Sequence, residues 1–339
     1  MRAMSLGALT SLDDNPEPLE LVELPVPVPG AGEVLIRVGA CGVCHTELDE
    51  IEGRTPPPRL PVVPGHEVVG WVDATGSGVT KLRPGQRVGV GWIHSSSGAA
   101  DENLSPDFRA TGRDVNGGYA EYMTVGEHYA YPLPDVFSDE EAAPLLCAGG
   151  VGYRALRLSG IADRQRLGLT GFGGSGHLVL QLARQRFPYA EIYVFARSER
   201  ERGFALDLGA NWAGDTDAEP PERLHAIIDT TPAWRPVLAA LESLRPGGRL
   251  VINAIRKESA DRQVMAGIDY ARHLWMEKEV KTVANVTSRD IVEFLAIAAE
   301  IPLRPAVTTH PLEEANQALM LLRSGHVRGA HVLKIGNKI

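Results

Sequence analysis

The sequence predicts an α/β protein with two domains, a β-barrel-like unit and a doubly wound parallel sheet. The chain has 339 residues, which is more than one compact core usually holds. Up to about residue 139, short apolar runs alternate with Pro and Gly turns, whereas strands and helices alternate after it. A glycine-rich turn between a predicted strand and a predicted helix indicates that the parallel sheet is of the Rossmann type.

Composition and charge exclude several classes of function. The formal net charge is −9, from 34 Lys and Arg against 43 Asp and Glu, so no basic excess favours nucleic-acid binding. No apolar run approaches the roughly 18 residues of a membrane helix, and the start of the chain turns acidic and Pro-rich before any signal-peptide core. Three cysteines, an odd count, fit a reducing compartment rather than a disulfide framework. We therefore expect a cytoplasmic protein without membrane or nucleic-acid partners.

The barrel-like unit is predicted from apolar runs that turn residues separate. Between Pro25 and Gly126, stretches such as TPPPRLPVVPG, TGSG and RPGQ break the chain into short segments. The apolar segments between them are typical of β-strands, and we predict strands over Val34–Ala40, Val68–Ala74, Val88–Gly91 and Tyr119–Val125.

The second half alternates strands and helices at the spacing of a parallel sheet. Predicted strands are Leu167–Thr170, Ile192–Phe195, Ala226–Ile228, Leu250–Ile255 and Val332–Ile335. Predicted helices are Ser175–Arg186, Glu199–Leu208, Trp234–Leu244, Ile291–Glu300 and Pro311–Leu322. A capping box at Thr287 to Asp290 opens the fourth of these helices. The domain boundaries are expected near residues 148–160 and near 286.

The glycine-rich turn follows the predicted strand Leu167–Thr170 and has the pattern G-x-G-x-x-G. Such glycines allow a tight turn, a close backbone approach to a pyrophosphate and close packing of helix on strand. A glycine-rich turn of another kind is the alternative. The predicted dinucleotide-binding residues are Gly171, Gly173, Gly174, Ser175 and Gly176.

The end of the next strand bears on which dinucleotide is bound. An NAD site usually has a carboxylate about 20 residues past the glycine motif, but Ala196 stands there. Arg197 and Ser198 follow, with Arg200 and Arg202 one turn on. We predict that Arg197 and Ser198 bind a 2′-phosphate, so that NADP is preferred, with NAD also accepted. The alternative is a solvated helix start that carries arginines.

Cysteine and histidine residues form a possible metal-ligating set. Cys41 and Cys44 make a C-x-x-C pair, His66 lies 22 residues beyond Cys44, and Cys147 lies 81 residues beyond His66. A redox pair needs a βαβ context, and a structural zinc knuckle needs a second cysteine pair that this chain lacks. A catalytic zinc site with two Cys and one His keeps one open position. Each cysteine could instead be a buried thiol.

The chain resembles the zinc-dependent alcohol dehydrogenases of the medium-chain dehydrogenase/reductase superfamily over almost its whole length. The resemblance rests on GVCHTE, PGHEVVG, RVGVGW, NGGYAEY, CAGGVGYRAL and GFGGSGH, which occur in the family's order and approximate spacing. It implies a GroES-like β-barrel catalytic domain, residues 1–150 completed by 287–339, around an inserted Rossmann domain, residues 151–286. It also implies that Cys44, His66 and Cys147 bind one catalytic zinc, with Cys41 a small buried hydrophobe.

The resemblance also assigns roles near the zinc. Thr46 matches the hydroxyl that hydrogen-bonds the substrate oxygen, and His45 matches a residue that touches the cofactor pyrophosphate. Glu67 matches a carboxylate beside the zinc that can join its coordination, and a hydrogen-bond acceptor for a ligand is the alternative. Trp92 resembles a wall of the substrate pocket, although an aromatic residue on a strand is often simply core.

Three departures from the family pattern lead to specific expectations. Where many relatives carry four cysteines around a structural zinc, residues 95–106 contain none, so we expect one zinc per chain. Asp49 occupies the place of a histidine that ends the proton relay, so it is either a catalytic proton acceptor or a solvated acid. Ala330 stands where relatives have a pyrophosphate-binding arginine, so either Arg328 substitutes for it or the contact is absent.

The predicted function is zinc-dependent interconversion of an alcohol and an aldehyde or ketone, with hydride transfer to or from NAD(P). Zinc would lower the pKa of the bound alcohol as it does for water. The substrate is expected to be a small molecule and the protein a homo-oligomer, a dimer or a tetramer. The alternatives are a zinc-free quinone or enone reductase of the same superfamily and a non-catalytic nucleotide-binding protein.

Overall fold

The structure, a computed structural model, describes residues 1–301, 303–325 and 329–336. They form two compact units, one from Met1–Cys147 with Val286–Ile339 and one from Ala148–Asn285. The second unit is therefore an insertion between the two segments of the first. Arg328 lies outside the described residues.

Seventeen strands are found among the described residues, numbered in chain order. They are β1 (Arg2–Leu6), β2 (Leu19–Glu23), β3 (Glu33–Val43), β4 (Val68–Thr75), β5 (Arg87–Val90), β6 (Ile93–Ser95), β7 (Arg109–Ala110), β8 (Tyr122–Gly126), β9 (Ala130–Pro132), β10 (Arg166–Thr170), β11 (Glu191–Phe195), β12 (Trp212–Gly214), β13 (Leu224–Asp229), β14 (Leu244–Ile252), β15 (Glu279–Thr282), β16 (Val307–Pro311) and β17 (Ala330–Lys334).

The same residues contain eight α-helices. They are α1 (His45–Ile51), α2 (Asp139–Ala142), α3 (Ala148–Ser159), α4 (Gly174–Arg186), α5 (Glu199–Asp207), α6 (Arg235–Ser243), α7 (Ser288–Glu300) and α8 (Ala315–Ser324). Short 3₁₀ turns and one π-helical turn, Tyr270–Leu274, complete the regular structure. No helix of the described chain combines the length and the apolarity needed to cross a bilayer.

The first unit is built around the long strand β3. This strand pairs antiparallel with β4 along most of its length, while β8 and β17 share its other edge, at residues 33–37 and 40–43 respectively. Val34, Ile36 and Val38 point into the core on one face, and most residues between and beyond them are buried as well. Because β3 ends at Val43 and α1 begins at His45, Cys44 is held at a fixed junction between them.

The second unit contains a six-stranded parallel sheet in the order β12-β11-β10-β13-β14-β15. Numbered from β10, this is 3-2-1-4-5-6, the order of the Rossmann fold. The order reverses beside β10, and the carboxyl end of that strand is where such sheets bind a dinucleotide. The glycine-rich turn starts there, directly after Thr170.

Most predicted elements are found with small shifts at their ends, and two differ more. The strand predicted over Leu250–Ile255 is Leu244–Ile252, with a register shift against β13 near its start. The helix predicted from Pro311 begins with a 3₁₀ turn at Leu312–Glu314, and the α-helix starts at Ala315. The capping box at the start of α7 is confirmed, since the Thr287 side chain accepts from the backbone N–H of Asp290.

Candidate metal centre and cofactor-binding turn

Four side chains from separate parts of the first unit meet around one point. The sulfur atoms of Cys44 and Cys147 are 4.0 Å apart, and His66 Nε2 lies 3.2 Å from the Cys147 sulfur. With a Glu67 carboxylate oxygen added, the four donor atoms all lie within 4.8 Å of one another. Cys44 and Cys147 are half-buried, and His66 and Glu67 are buried. The structure therefore brings together the predicted ligands Cys44, His66 and Cys147, with Glu67 beside them.

The donor set fits a zinc ion in both chemistry and spacing. Two thiol sulfurs and one imidazole nitrogen are preferred zinc ligands, and a carboxylate is an accepted one. Two sulfurs bound at about 2.3 Å in a tetrahedron lie roughly 3.8 Å apart, close to the 4.0 Å between Cys44 and Cys147. Cys41 is not part of the group: it is fully buried and packs in the hydrophobic core of the unit.

Glu47 orients the histidine of this group, and sequence reasoning missed it. Its Oε1 lies 2.6 Å from His66 Nδ1, and both side chains are buried. A proton on Nδ1 leaves the Nε2 lone pair facing the cysteines, which is the arrangement that metal-binding histidines usually have. Glu47 Oε2 also accepts the backbone N–H of Cys44 at 2.8 Å. One carboxylate thus fixes two of the candidate ligands.

The two cysteine sulfurs lie within reach of each other, and the Cys147 sulfur also lies close to His66 Nε2. A hydrogen bond from Cys147, together with the hydrogen bond and charge of His66, holds the pKa of the Cys44 thiol well below its usual range. The same hydrogen bond and burial raise the pKa of Cys147. The Cys44 thiol is therefore the more easily deprotonated of the two, and the thiolate is the form that binds a metal.

The Glu67 side chain occupies space that is open only because residue 42 is a glycine. A Cβ atom on Gly42 would lie 1.8 Å from Glu67 Oε2, so no larger residue fits at that position of β3. Burial, followed by the negative charge of Cys44, raises the pKa of the Glu67 carboxyl well above its usual value. A neighbouring cation would reverse that effect, because an opposite charge favours the carboxylate.

The remaining predicted residues of this region lie on or next to α1. Thr46 is buried, with its hydroxyl 3.6 Å from the Cys44 sulfur, and His45 is exposed at the first position of the helix. Asp49 is buried rather than solvated, and it accepts a hydrogen bond from Arg54 Nε at 2.6 Å. Trp92 is buried, with its ring in edge contact with the His66 ring at 4.8 Å between centroids.

The glycine-rich turn of the second unit has the backbone that its sequence predicts. Gly171 has φ of +82°, and a Cβ on Gly176 would lie 2.7 Å from the carbonyl oxygen of Gly171. Gly173 and Gly174 have open space where a Cβ would be, and α4 begins at Gly174 and includes Ser175. The turn therefore presents backbone at a helix N-terminus, as a pyrophosphate site requires.

The residues after β11 divide into two groups. Arg197 and Arg200 are exposed, whereas Arg202 Nη1 donates to the carbonyl oxygens of Ala196 and Arg197. Ser198 is the N-cap of α5, and its hydroxyl accepts the N–H of Glu201. The guanidinium of Arg202 is engaged at the end of the strand. Arg197 is therefore better placed than Arg202 to bind a ligand.

The parallel sheet with its glycine-rich turn and the β unit with its Cys, His and Glu group define a metal-binding dehydrogenase of two domains. Residues 30–135 match the alcohol dehydrogenase GroES-like domain, and residues 209–333 match the zinc-binding dehydrogenase domain. The chain belongs to the zinc-dependent alcohol dehydrogenases of the medium-chain dehydrogenase/reductase superfamily. Its reaction is the interconversion of an alcohol and an aldehyde or ketone with a nicotinamide cofactor. The family, fold class and reaction predicted from the sequence are confirmed.

Similar proteins cover nearly the whole chain. AdhA of Mycobacterium tuberculosis (strain CDC 1551 / Oshkosh), named a probable alcohol dehydrogenase, is 41% identical over 94% of this chain and 93% of its own length. An alcohol dehydrogenase of Geobacillus stearothermophilus is 32% identical over 94% of this chain and 97% of its own length. A crystal structure of an NAD-dependent alcohol dehydrogenase superposes with a TM-score of 0.86 at 25% identity, covering 99% of this chain and 100% of that one.

Proposed function

We propose that Cys44, His66 and Cys147 hold one catalytic zinc ion and that Glu67 lies beside it as an occasional fourth ligand. The convergence of their donor atoms within 4.8 Å, with His66 oriented by Glu47, carries this proposal. Zinc in such a site acts as a Lewis acid that lowers the pKa of an alcohol and polarises a carbonyl. The catalytic domain is then the first unit, and the cofactor-binding domain is the second.

The other residues of α1 handle the proton and the substrate. The Thr46 hydroxyl, next to the Cys44 sulfur, accepts a hydrogen bond from the alcohol and passes its proton outward. Asp49 is the outer acceptor of that proton, held in place by Arg54. Trp92 packs on His66 and forms an apolar wall that keeps water from the reacting oxygen. His45, exposed at the start of α1, is the contact to the cofactor pyrophosphate.

The test of this function joins metal content to turnover. Elemental analysis should give one zinc per chain, and an alcohol and aldehyde panel should change the absorbance of the reduced nicotinamide. A protein that turns over enones without zinc, or one that binds the nucleotide without turning over any alcohol, would contradict the proposal.

The cofactor proposed is NADP in preference to NAD. Ala196 removes the carboxylate that would repel a 2′-phosphate, and the exposed Arg197 can donate two parallel hydrogen bonds to it. A charge-assisted hydrogen bond contributes about 1.5–3 kcal/mol, which corresponds to roughly 10- to 150-fold in affinity. Ser198 can add a donor through its hydroxyl hydrogen, since its oxygen already acts as the helix cap.

The preference is measured as kcat/KM for each cofactor, in wild type and in an Arg197→Ala variant. We expect the variant to lose roughly 10- to 150-fold with NADP and to keep its rate with NAD. Arg200→Ala is the matched control, since Arg200 is also exposed in the same segment. A wild type that favours NAD, or equal losses in both variants, would contradict the assignment.

Association into a homo-oligomer is proposed on the surface of the second unit. All four residues of the edge strand β15 are exposed, and an open edge can pair with a second copy. Three large apolar residues near this strand in sequence, Tyr270, Trp275 and Met276, are each more than half exposed. Light scattering with a Val280→Lys variant tests whether β15 forms the interface: if it does, the variant should dissociate.

A cytoplasmic location is proposed from the free cysteines alone.

A further inference from the structure

A cavity of about 230 Å³ lies in the second unit at the amino ends of β10, β13 and β14. Its lining includes Ser159, Gln165, His225, Arg245 and Arg249. The glycine-rich turn is at the carboxyl end of β10, so the cavity is at the opposite edge of the same sheet. Six residues of extended chain separate Gln165 from Gly171, a distance of about 20 Å. The cavity is therefore distinct from the dinucleotide-binding turn.

The polar side chains of this cavity present donors. His225 Nδ1 accepts the backbone N–H of Arg166 at 3.1 Å, so the proton of the neutral ring is on Nε2. Gln165 Oε1 accepts the backbone N–H of Ala162 at 3.0 Å, which leaves its NH₂ group to donate. The acceptor atoms of both side chains are thus engaged, and their donors are left for a ligand.

Two arginines contribute differently to the charge. Arg249 is neutralised, because Nε and Nη2 bind both carboxylate oxygens of Glu279 and Nη1 donates to the Leu158 carbonyl. Arg245 uses only Nε, toward the carbonyl of Pro246, and its terminal nitrogens have no partner among the described residues. Arg245 therefore adds an uncompensated positive charge to the cavity.

Two arginines act on His225, and of these Arg166 has Glu222 as an ion-pair partner at 3.7 Å. Burial lowers the pKa of His225, and the positive charges of Arg245 and Arg166 lower it further. Neighbouring cations disfavour the charged form of this histidine, and a bound anion would favour it.

We propose that this cavity binds a small oxyanion, a phosphate or a carboxylate, through Arg245, His225 and Gln165. Planar guanidinium groups bind such anions with paired hydrogen bonds, and imidazole and amide N–H groups complete the set of donors. The ligand would connect β10, β13 and β14 at one point and stabilise the folded second unit by mass action. Its binding requires neither the zinc nor the dinucleotide.

Inorganic phosphate is the first probe, with acetate in a parallel arm, each compared with chloride at equal ionic strength. The imidazole signals of His225 are followed by NMR across pH, assigned with a His225→Gln variant. Phosphate should raise the pKa of His225 and raise the Tm of the whole protein. If acetate acts equally at equal concentration, the site recognises carboxylates as well as phosphates.

Arg245→Gln should weaken phosphate binding about tenfold or more, because it removes a charge-assisted partner. Arg262→Gln removes an exposed arginine of the same unit outside the cavity and should change nothing. Arg197→Ala should keep the response to phosphate, which would exclude the proposed 2′-phosphate site as the source of the effect. Three results would overturn the proposal: a His225 signal that phosphate does not move, an unchanged effect of phosphate in Arg245→Gln, or an equal effect of chloride.

Discussion

Two segments of the first unit that resemble zinc-binding regions of the family are held together by different chemistry. Around Cys44 and Cys147, a group of thiols, imidazole and carboxylate meets at one point. Residues 95–112, which correspond to the structural-zinc segment of many relatives, contain no cysteine. Within the described part of the chain, the group at Cys44 is the one set of metal-ligating residues found. The first region offers the donor atoms of a metal site, whereas the second offers no thiol.

A buried carboxylate organises the second region. Glu102 Oε1 accepts the backbone N–H of Ser288, the first residue of α7, at 2.5 Å, and Oε2 accepts the Tyr129 hydroxyl at 3.0 Å. The Glu102 carbonyl accepts the Ser96 hydroxyl at 2.6 Å. A negative charge at a helix N-terminus is stabilising, so the carboxylate both satisfies donors and complements α7. In this region the hydrogen bonds of Glu102 join separate segments of the chain.

The comparison teaches that catalysis and cross-linking place different demands on a metal site. A cross-link between chain segments can be made from a carboxylate and its donors. Polarising a substrate oxygen requires a Lewis acid with an open position, which no side chain of Glu102's kind supplies. We therefore expect changes in the first region to affect activity and changes in the second to affect stability.

The largest effect is expected from Cys147→Ser. Losing one of three ligands should remove the zinc and lower kcat/KM at least about 10³-fold, because a catalytic metal supplies several kcal/mol. Cofactor binding, measured by nucleotide fluorescence, should persist. Cys41→Ala is the control, since Cys41 is a buried core residue, and it should keep the zinc. Full activity of a zinc-free preparation would show that this region is not the catalytic centre.

Glu102→Ala should lower the free energy of unfolding by about 2–6 kcal/mol, since two buried donors lose their acceptor at about 1–3 kcal/mol each. The zinc content of the variant should equal that of the wild type. The Tm of the wild-type protein should not rise with a second zinc per chain. The neighbouring Asp101→Ala, an exposed position, is the control. Urea denaturation with elemental analysis measures both quantities. A second zinc per chain, lost with Glu102, would end the contrast between the two regions.

Glu47→Gln should weaken zinc binding about 10- to 100-fold, the usual cost of losing the carboxylate partner of a metal-binding histidine. The amide keeps the shape but gives His66 a weaker acceptor. Competition with a zinc chelator measures the affinity, and the Tm of the protein serves as a check on folding. Unchanged zinc affinity together with a lowered Tm would show that Glu47 only supports the fold.

The smallest effect is expected from Asp49→Asn. If Asp49 accepts the proton, the variant should oxidise alcohol roughly tenfold more slowly near neutral pH. This loss is smaller than the 10²–10⁴ of many general bases because water can replace the carboxylate. The pH–rate profile should shift, while KM for the aldehyde should not. Arg54→Gln is the companion variant, since it removes the ion pair but keeps the carboxylate. A profile that only Arg54→Gln changes would make Asp49 a structural partner of Arg54.

Short-range patterns explain which features were predictable from the sequence. The turn at Gly171 and the capping box at Thr287 are set by neighbouring residues, and the structure shows both. The alternation of apolar segments likewise predicted the parallel sheet, because periodicity within a segment decides whether it forms a strand or a helix. The motifs around Cys44 and His66 identified the family for the same reason.

Contacts between distant residues explain what was missed. Glu102 and Ser288 are 186 residues apart, and nothing local distinguishes that glutamate from a solvated acid. Glu47 stands in the first turn of a helix, where an acidic residue is common for reasons of the helix dipole alone. The pairing of Asp49 with Arg54 depends on how the chain leaves α1, which the sequence pattern does not specify.

The strand pairing of β3 has a consequence for synthesis on the ribosome. Residues 40–43, which lead into Cys44, acquire their β17 neighbour only from residues 331–334. At about 5–20 residues per second, the ribosome needs roughly 15–60 s to translate the intervening stretch. During that time the first unit has an unfilled sheet edge, while Ala148–Asn285, continuous in sequence, emerges in full. Vectorial folding would thus complete the inserted second unit first and the first unit last.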